Sequence, residues 1–205
     1  MQTLDPNFIT SLAQARDGAI APVYFLWLVG RDIVTDGVKS IGFWTGDEDL
    51  TISVVSPDGL STVSRSYYGG CNLSVDGIQY VSDLTDNAVS VSLSQITVAA
   101  QEAARNTNLR LAHAEIHATT MNGGAFVSAP QLQWVGIVDE GNLNTPAAGG
   151  GGEYTLSIRS EIMHQLTATN PAKSSDAHQK RRSAGDRFCE YSSTIEGWDI
   201  QWYKS

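Results

Sequence analysis

Positive charge is scarce in this chain. Lys and Arg number 13 against 22 Asp and Glu, a net charge of −9. Free-standing nucleic-acid binding needs a basic footprint, and this charge opposes it. Charge of either sign is thin, at 17% of residues against about a quarter in an average domain. Cysteine is nearly absent. Cys71 and Cys189 cannot build a four-cysteine zinc or iron–sulfur site. They lie far apart, and two free buried thiols are the favoured reading over a disulfide. Long apolar runs are also missing. The longest, residues 23–29, falls far short of the ~20 residues a membrane helix takes. No basic n-region and apolar core follow Met1, so no signal peptide is expected. The expectation is a soluble protein made in the cytoplasm.

What remains is rich in Ser, Thr, Gly and Asn, with frequent Val and Ile. That balance favours strands and turns. Apolar residues at 41% are enough for a core. The spacing predicts a first helix over residues 4–16, with Asp5 as N-cap and Pro6 at the first helical position. Phe8, Ile9 and Leu12 give it one apolar stripe. Such a helix either meets a partner or lies across its own core, and both readings stand.

The run VYFLWLV (23–29) predicts a strand buried on both faces. Strands follow at 38–44 and 50–55, with a turn of fitting chemistry at Ser56-Pro57-Asp58-Gly59, and residues 65–70 lead to a short strand near 79–81. VSVSLSQ (89–95) is the clearest strand, with Val89, Val91 and Leu93 on one face and Ser90, Ser92 and Ser94 on the other. An alanine-rich helix is predicted over 98–105. Strands over 109–117, 132–139 and 154–162 complete the series, the last two joined by a Gly-rich loop, 142–152. After Asn170-Pro171 the composition shifts to Lys, Ser, Asp and Arg. The chain is therefore divided into an N-terminal helix (1–17), a β-rich domain (18–170) and a C-terminal arm (171–205). The fold class is mainly β, an antiparallel barrel or sandwich with a short N-terminal helix, a short mid-chain helix and the arm.

Candidate chemistry is sparse. His113, Glu115 and His117 alternate, share one face of a strand, and have the spacing of a metal chelate. The competing and favoured reading is a solvated polar face opposite Ala112, Ala114 and Ile116. Asp47, Glu48 and Asp49 form either a calcium-holding turn or a solvated one. Gly149–Gly152 lacks the Lys-Ser/Thr of a phosphate loop, and no G-x-S-x-G elbow occurs. Neither a cofactor nor a catalytic set is expected. The arm differs in kind. Lys180-Arg181-Arg182, a Ser183-Ala184-Gly185 break and Asp186 precede Phe188, Tyr191, Trp198 and Trp202. It reads as a docking element in which Asp186 caps a short helix carrying Phe188 and Tyr191. Those residues and Trp198 act as anchors, and Arg181, Arg182 and Arg187 set register against carboxylates.

The order of these pieces resembles the tail-tip hub proteins of long-tailed bacteriophages and gene transfer agents. The resemblance runs through FLWLV (25–29), SIGFWTGDEDLT (40–51), Tyr67-Tyr68-Gly69-Gly70, Ser94-Gln95-Ile96, NLRLAHAEI (108–116), LQWVGIVD (132–139) and YTLSIRSEI (154–162). It closes on SDAHQKRRSAGDRFCEY (175–191). It covers nearly the whole chain, and its specificity lies in the ordered set. Family members often end in Trp-Gly, whereas here residues 202–205 are Trp-Tyr-Lys-Ser. The lambda-type branch holds an iron–sulfur centre on a cysteine cluster that Cys71 and Cys189 cannot supply. The resemblance implies a virion structural protein at the distal end of the tail. It would form a ring, a homotrimer, beneath the tail tube. Its neighbours would be the distal tail protein and the tip or fibre proteins. The tape measure protein would lie in the lumen, DNA would pass only in transit, and no membrane insertion is implied. The rivals are a hexameric distal tail ring protein and, from another class, a metal-dependent hydrolase using His113, Glu115 and His117.

Overall fold

The computed structural model describes residues 4–14, 20, 22–79, 87–147, 151–161, 175–198 and 203. The chain divides into two compact units, Met1–Leu166 and Thr167–Ser205.

Strands take 49% of the structure and helix 17%, so the protein is mainly β. The first unit opens with α1 (Pro6–Gln14). Strands β1 (Pro22–Asp32), β2 (Val38–Trp44), β3 (Leu50–Val55), β4 (Thr62–Tyr67), β5 (Ser74–Asp76) and β6 (Ala88–Ser94) follow. Then come α2 (Val98–Asn106), β7 (Thr107–Asn122), β8 (Ala125–Phe126), β9 (Gln131–Asn144) and β10 (Glu153–Ser160). One sheet runs β2-β1-β7-β9-β10-β6-β5, with β8 beside β7, and curls into an antiparallel half-barrel. The hairpin β3–β4 forms a second sheet of its own.

β1 shows why its sequence is apolar without alternation. Leu26 and Leu28 enter a large core on the inner side of the sheet, with Val89, Val91, Leu93, Leu156 and Ile158. Phe25 points the other way, into a second cluster with Val23, Trp44, Val54 and Tyr67. A strand covered on both faces has no polar side to present. β6 behaves as its alternation requires, with Val89, Val91 and Leu93 buried and Ser90 exposed. α2 forms where expected: the Thr97 hydroxyl accepts from the Ala100 amide at 3.3 Å, and Ala100 and Ala103 are buried.

Several boundaries differ. β7 and β9 run well past the predicted 109–117 and 132–139. The polar ends of both look like loop, yet they continue the ladder. Asn142 and Leu143 pair with Thr155 and Tyr154, so the Gly-rich connection begins only after Asn144. A short strand lies at Ser74–Asp76, and Tyr80 and Val81 of the strand predicted near 79–81 lie outside the described residues. In α1, Asp5 Oδ1 accepts from the Asn7 amide at 2.8 Å. Phe8 is buried while Ile9 and Leu12 are exposed, so the predicted stripe splits. Ser11 takes the inward place instead, its hydroxyl 2.6 Å from that of Thr120 on β7. Residues 15–16 of the predicted helix lie outside the described residues. Both cysteines are free thiols.

In the second unit the helix lies upstream of the predicted one. α3 spans Asp176–Arg182, ahead of the Ser183-Ala184-Gly185 break rather than after it. Local signals account for it. The Ser175 hydroxyl accepts from the His178 amide, Asp176 stands at the positive helix end, and Lys180, Arg181 and Arg182 stand at the negative end. Lys180 also pairs with Asp176 at 2.8 Å, one turn apart. After Gly185 the chain stays in turns, ending in one 3-10 turn at Ile195–Gly197. Asp186 therefore caps no α-helix. Its Oδ1 accepts from the Phe188 amide at 2.9 Å, an Asx-type turn.

Candidate functional site

The first candidate is the face of β7 that carries His113, Glu115 and His117. Alternation places all three on the outer side of the sheet, opposite the buried Ala112, Ala114 and Ile116. On that face Glu115 and His117 are buried and only His113 is partly exposed, which corrects the favoured sequence reading of a solvated face. The β3–β4 hairpin covers it. Tyr67 packs edge-on to Phe25 with ring centres 5.1 Å apart, and Phe25 stacks with Trp44 at 5.7 Å. Cross-strand pairing sets His117 beside Phe25 and Glu115 beside Trp27.

Into this apolar setting β4 inserts Arg65. Its Nη1 donates to Glu115 Oε2 at 2.6 Å and its Nη2 to Oε1 at 3.2 Å. The side chains are 11% and 5% exposed. The guanidinium also lies 4.8 Å from the Trp27 ring centre. A bidentate fork on a carboxylate, stacked on an aromatic face, is the geometry in which arginine is best desolvated. His113 Nε2 is 3.2 Å from Glu115 Oε1. His117 Nε2 is 2.9 Å from the Val55 carbonyl on β3. A carbonyl only accepts, so that nitrogen carries the proton. His117 Nδ1 is buried with no hydrogen-bond partner.

The electrostatics follow from this packing. Burial works to raise the Glu115 pKa, but the hydrogen bonds from His113 and Arg65 and the Arg65 charge outweigh it and hold it at about 2. Burial pushes His117 down to about 4, against the Val55 hydrogen bond. His113 is raised by its bond to Glu115. Burial pushes Tyr67 up to about 12. The carboxylate is thus fixed as an anion, and His117 is fixed as neutral at ordinary pH.

What this arrangement can do is structural. Both Glu115 oxygens are taken by Arg65, and the His117 Nε2 that faces the carboxylate, at 3.8 Å, is committed to Val55. Among the described residues no group of three or more His, Cys, Asp or Glu is arranged to hold a metal ion. Arg65 was invisible to sequence reasoning. The signal was a lone arginine within the short strand TVSRSY, opposite a long strand with ionisable residues at alternate positions. Of the acidic turn, Asp49 Oδ1 accepts from the Gly69 amide at 3.1 Å, and the Glu48 carbonyl accepts from Trp44 Nε1.

The second candidate is the C-terminal unit. Arg181, Arg182 and Arg187 are exposed, as are Tyr191 and Trp198. Phe188 is 90% exposed. Tyr191 meets Trp198 with ring centres 5.1 Å apart, rather than sharing a helix face with Phe188. Trp202 lies outside the described residues. On the first unit, a cleft of about 850 Å³ is lined by Asp32, Asp36, Asp139 and Glu140 with Arg110, an unfavourable lining for phosphate. No helix among the described residues is long and apolar enough to cross a membrane. No protein-family model matches the chain, and no curated protein is significantly similar to it.

Proposed function

We propose that this chain is a structural virion protein, the baseplate hub at the tail tip of a long-tailed bacteriophage or related particle. In this reading it forms a trimeric ring that joins the distal tail protein at the end of the tube to the tip and fibre proteins. The ring surrounds the path of the tape measure protein and, later, of DNA in transit. The protein is not an enzyme. The ordered set of motifs from FLWLV to GDRFCEY supports this, together with the mainly β half-barrel that carries them.

The observation that carries the reading is the C-terminal unit. An aromatic side chain left 90% exposed beside exposed arginines has no use in the isolated chain and suits an assembly contact. The charge fits the role. Residues 1–166 hold 7 Lys and Arg against 17 Asp and Glu, and residues 167–205 hold 6 against 5. An acidic body repels DNA that must pass without sticking.

The test is copy number in purified tails, by cryo-EM of the tip. Three copies in a ring below the tube are expected. Six copies at the tube end would assign the distal ring instead. Absence from the particle would overturn the reading.

A further inference from the structure

The β3–β4 hairpin is fastened to the sheet in an unusual way. Its ladder closes on itself, Leu50 with Tyr67 through Val55 with Thr62, and it shares no register with the large sheet. Just past its base, the Tyr68 amide donates to the Gly42 carbonyl at 2.9 Å and the Gly70 amide to Gly46 at 2.8 Å. At its turn end, Val55 is pinned twice: its amide donates to Pro130 O at 3.1 Å, and its carbonyl accepts from His117. Between these ends the attachment is by side chains, the Tyr67 and Val54 packing and the Arg65–Glu115 fork. We propose that the hairpin is a proton-released flap: mild acid frees its turn end at His117 and lifts it on the Tyr68–Gly70 base, uncovering the aromatic face of Phe25, Trp27 and Trp44.

The geometry makes His117 the trigger. It is wholly buried, its Nε2–H is used by Val55, and its Nδ1 has no acceptor nearby to receive a second proton's bond. A protonated ring there would be a buried cation with an orphaned donor. The ionisable groups acting on it are Glu115 from β7 and Arg65 from β4, and the groups around those two are His113 and Tyr67. β1 faces it with Phe25, and β9 pairs Leu132 with it. Glu115 would welcome the proton, but Arg65 already neutralises it and repels a second cation. His113 and Glu115 are both on β7, so hairpin opening leaves their contact intact.

The sign is set by linkage. His117 is held down from 6.5 to about 4 when covered, so the opened state binds a proton first and opening grows as pH falls through that window. Glu115 adds the same sign only at lower pH, because opening removes Arg65 and lets its pKa rise from about 2. From about pH 7 to about pH 5, His117 alone raises the opening constant roughly 20-fold.

The experiment is amide hydrogen exchange on the full chain, corrected for intrinsic rates, across that pH range. β3 and β4 amides are expected to gain about 20-fold in opening while β7 and β9 amides keep their protection. His117→Gln keeps a donor for the Val55 carbonyl and removes the titration, so its hairpin exchange should be flat over the same range. Equal gains in the hairpin and in β7, or an unchanged acid response in the glutamine variant, would overturn the proposal. Should that variant not fold, the wild-type titration decides: a hairpin-only rise between pH 6.5 and 4 supports the flap, and no rise there refutes it.

Discussion

Arg65 on β4 and Arg182 at the end of α3 are the same residue in opposite settings. Arg65 is almost wholly covered, forks onto Glu115 and lies over Trp27. Arg182 is exposed, in the last turn of α3. The aromatics divide the same way: Phe25 is fully buried in the hairpin cluster, and Phe188 stands in solvent. The lesson is that residue type does not separate structural charge from docking charge. Desolvation does. Under the hairpin each charge must be matched inside the fold, because water cannot match it. In the C-terminal unit Arg182 and Phe188 are exposed, and water solvates the charge.

The comparison sharpens if each region is broken in turn. The largest effect should come from the inner core, which holds no charge to reorganise. Val91→Asp places an unpaired carboxylate among Leu93, Leu156 and Ile158 and should cost several kcal/mol, enough to unfold the chain. Ser92→Asp, on the opposite face of the same strand, should melt close to wild type. Similar melts for the two would refute the assigned strand faces.

Next comes the ion pair. Glu115→Ala leaves Arg65 buried without a partner and should cost about 3–5 kcal/mol. The double variant Arg65→Leu/Glu115→Leu should recover most of that loss, because apolar pairs of similar volume replace buried ion pairs at little cost. Denaturant melts of the three proteins check this. If the double variant is as unstable as the single one, the pair contributes more than the matching of its own desolvation.

Acid should act on the same cluster. Glu115, depressed from 4.5 to about 2, stabilises the fold above 4.5 and loses that contribution as pH falls through 2. His117, depressed from 6.5 to about 4, likewise stabilises above 6.5 and loses that as pH falls through 4. Each contributes about 3 kcal/mol. His113, raised, acts the other way, stabilising below 6.5 and losing this as pH rises through its folded value. Melting temperature should therefore fall in two acid steps, and His117→Gln should erase the upper one. A single step centred near ordinary carboxylate values would point to surface acids instead.

The same contrast explains what was legible in the sequence. β6 could be read from Val-Ser-Val-Ser-Leu-Ser because its pattern depends only on which face meets the core. β1 could be read because a strand covered on both sides loses its polar alternation. α2 announced itself through its alanines. The polar face of β7 could not be read, because its burial depends on a hairpin some 50 residues earlier in the chain folding across it. Nothing local to His113, Glu115 and His117 reports that cover. The ends of β7 and β9 were missed for a related reason: pairing partners, not apolar residues, hold Asn122 and Asn142 in strands. In the C-terminal unit the error was local. Asp186 was weighed as a helix cap, while Ser175, with an acid after it and three bases five to seven residues on, was the stronger start signal.

The smallest effect on folding should come from the C-terminal unit, and it is the one that tests function. Phe188→Ala removes a ring that is 90% exposed, so little apolar burial is lost and stability should change by less than about 0.5 kcal/mol. Arg182→Ala should be equally silent. Removing residues 171–205 should leave the β unit folded by circular dichroism, since residues 167–205 form a compact unit of their own. The same changes should abolish ring formation or entry into tails, because an anchor's energy is released only when a partner desolvates it. Phe25→Ala would do the reverse, costing about 3–5 kcal/mol in the free chain. If the truncated chain unfolds, the C-terminal unit completes the core of the first. If it still assembles, the exposed aromatics are not the contact. Only a folded chain that no longer assembles keeps the two regions in the separate roles that their desolvation assigns.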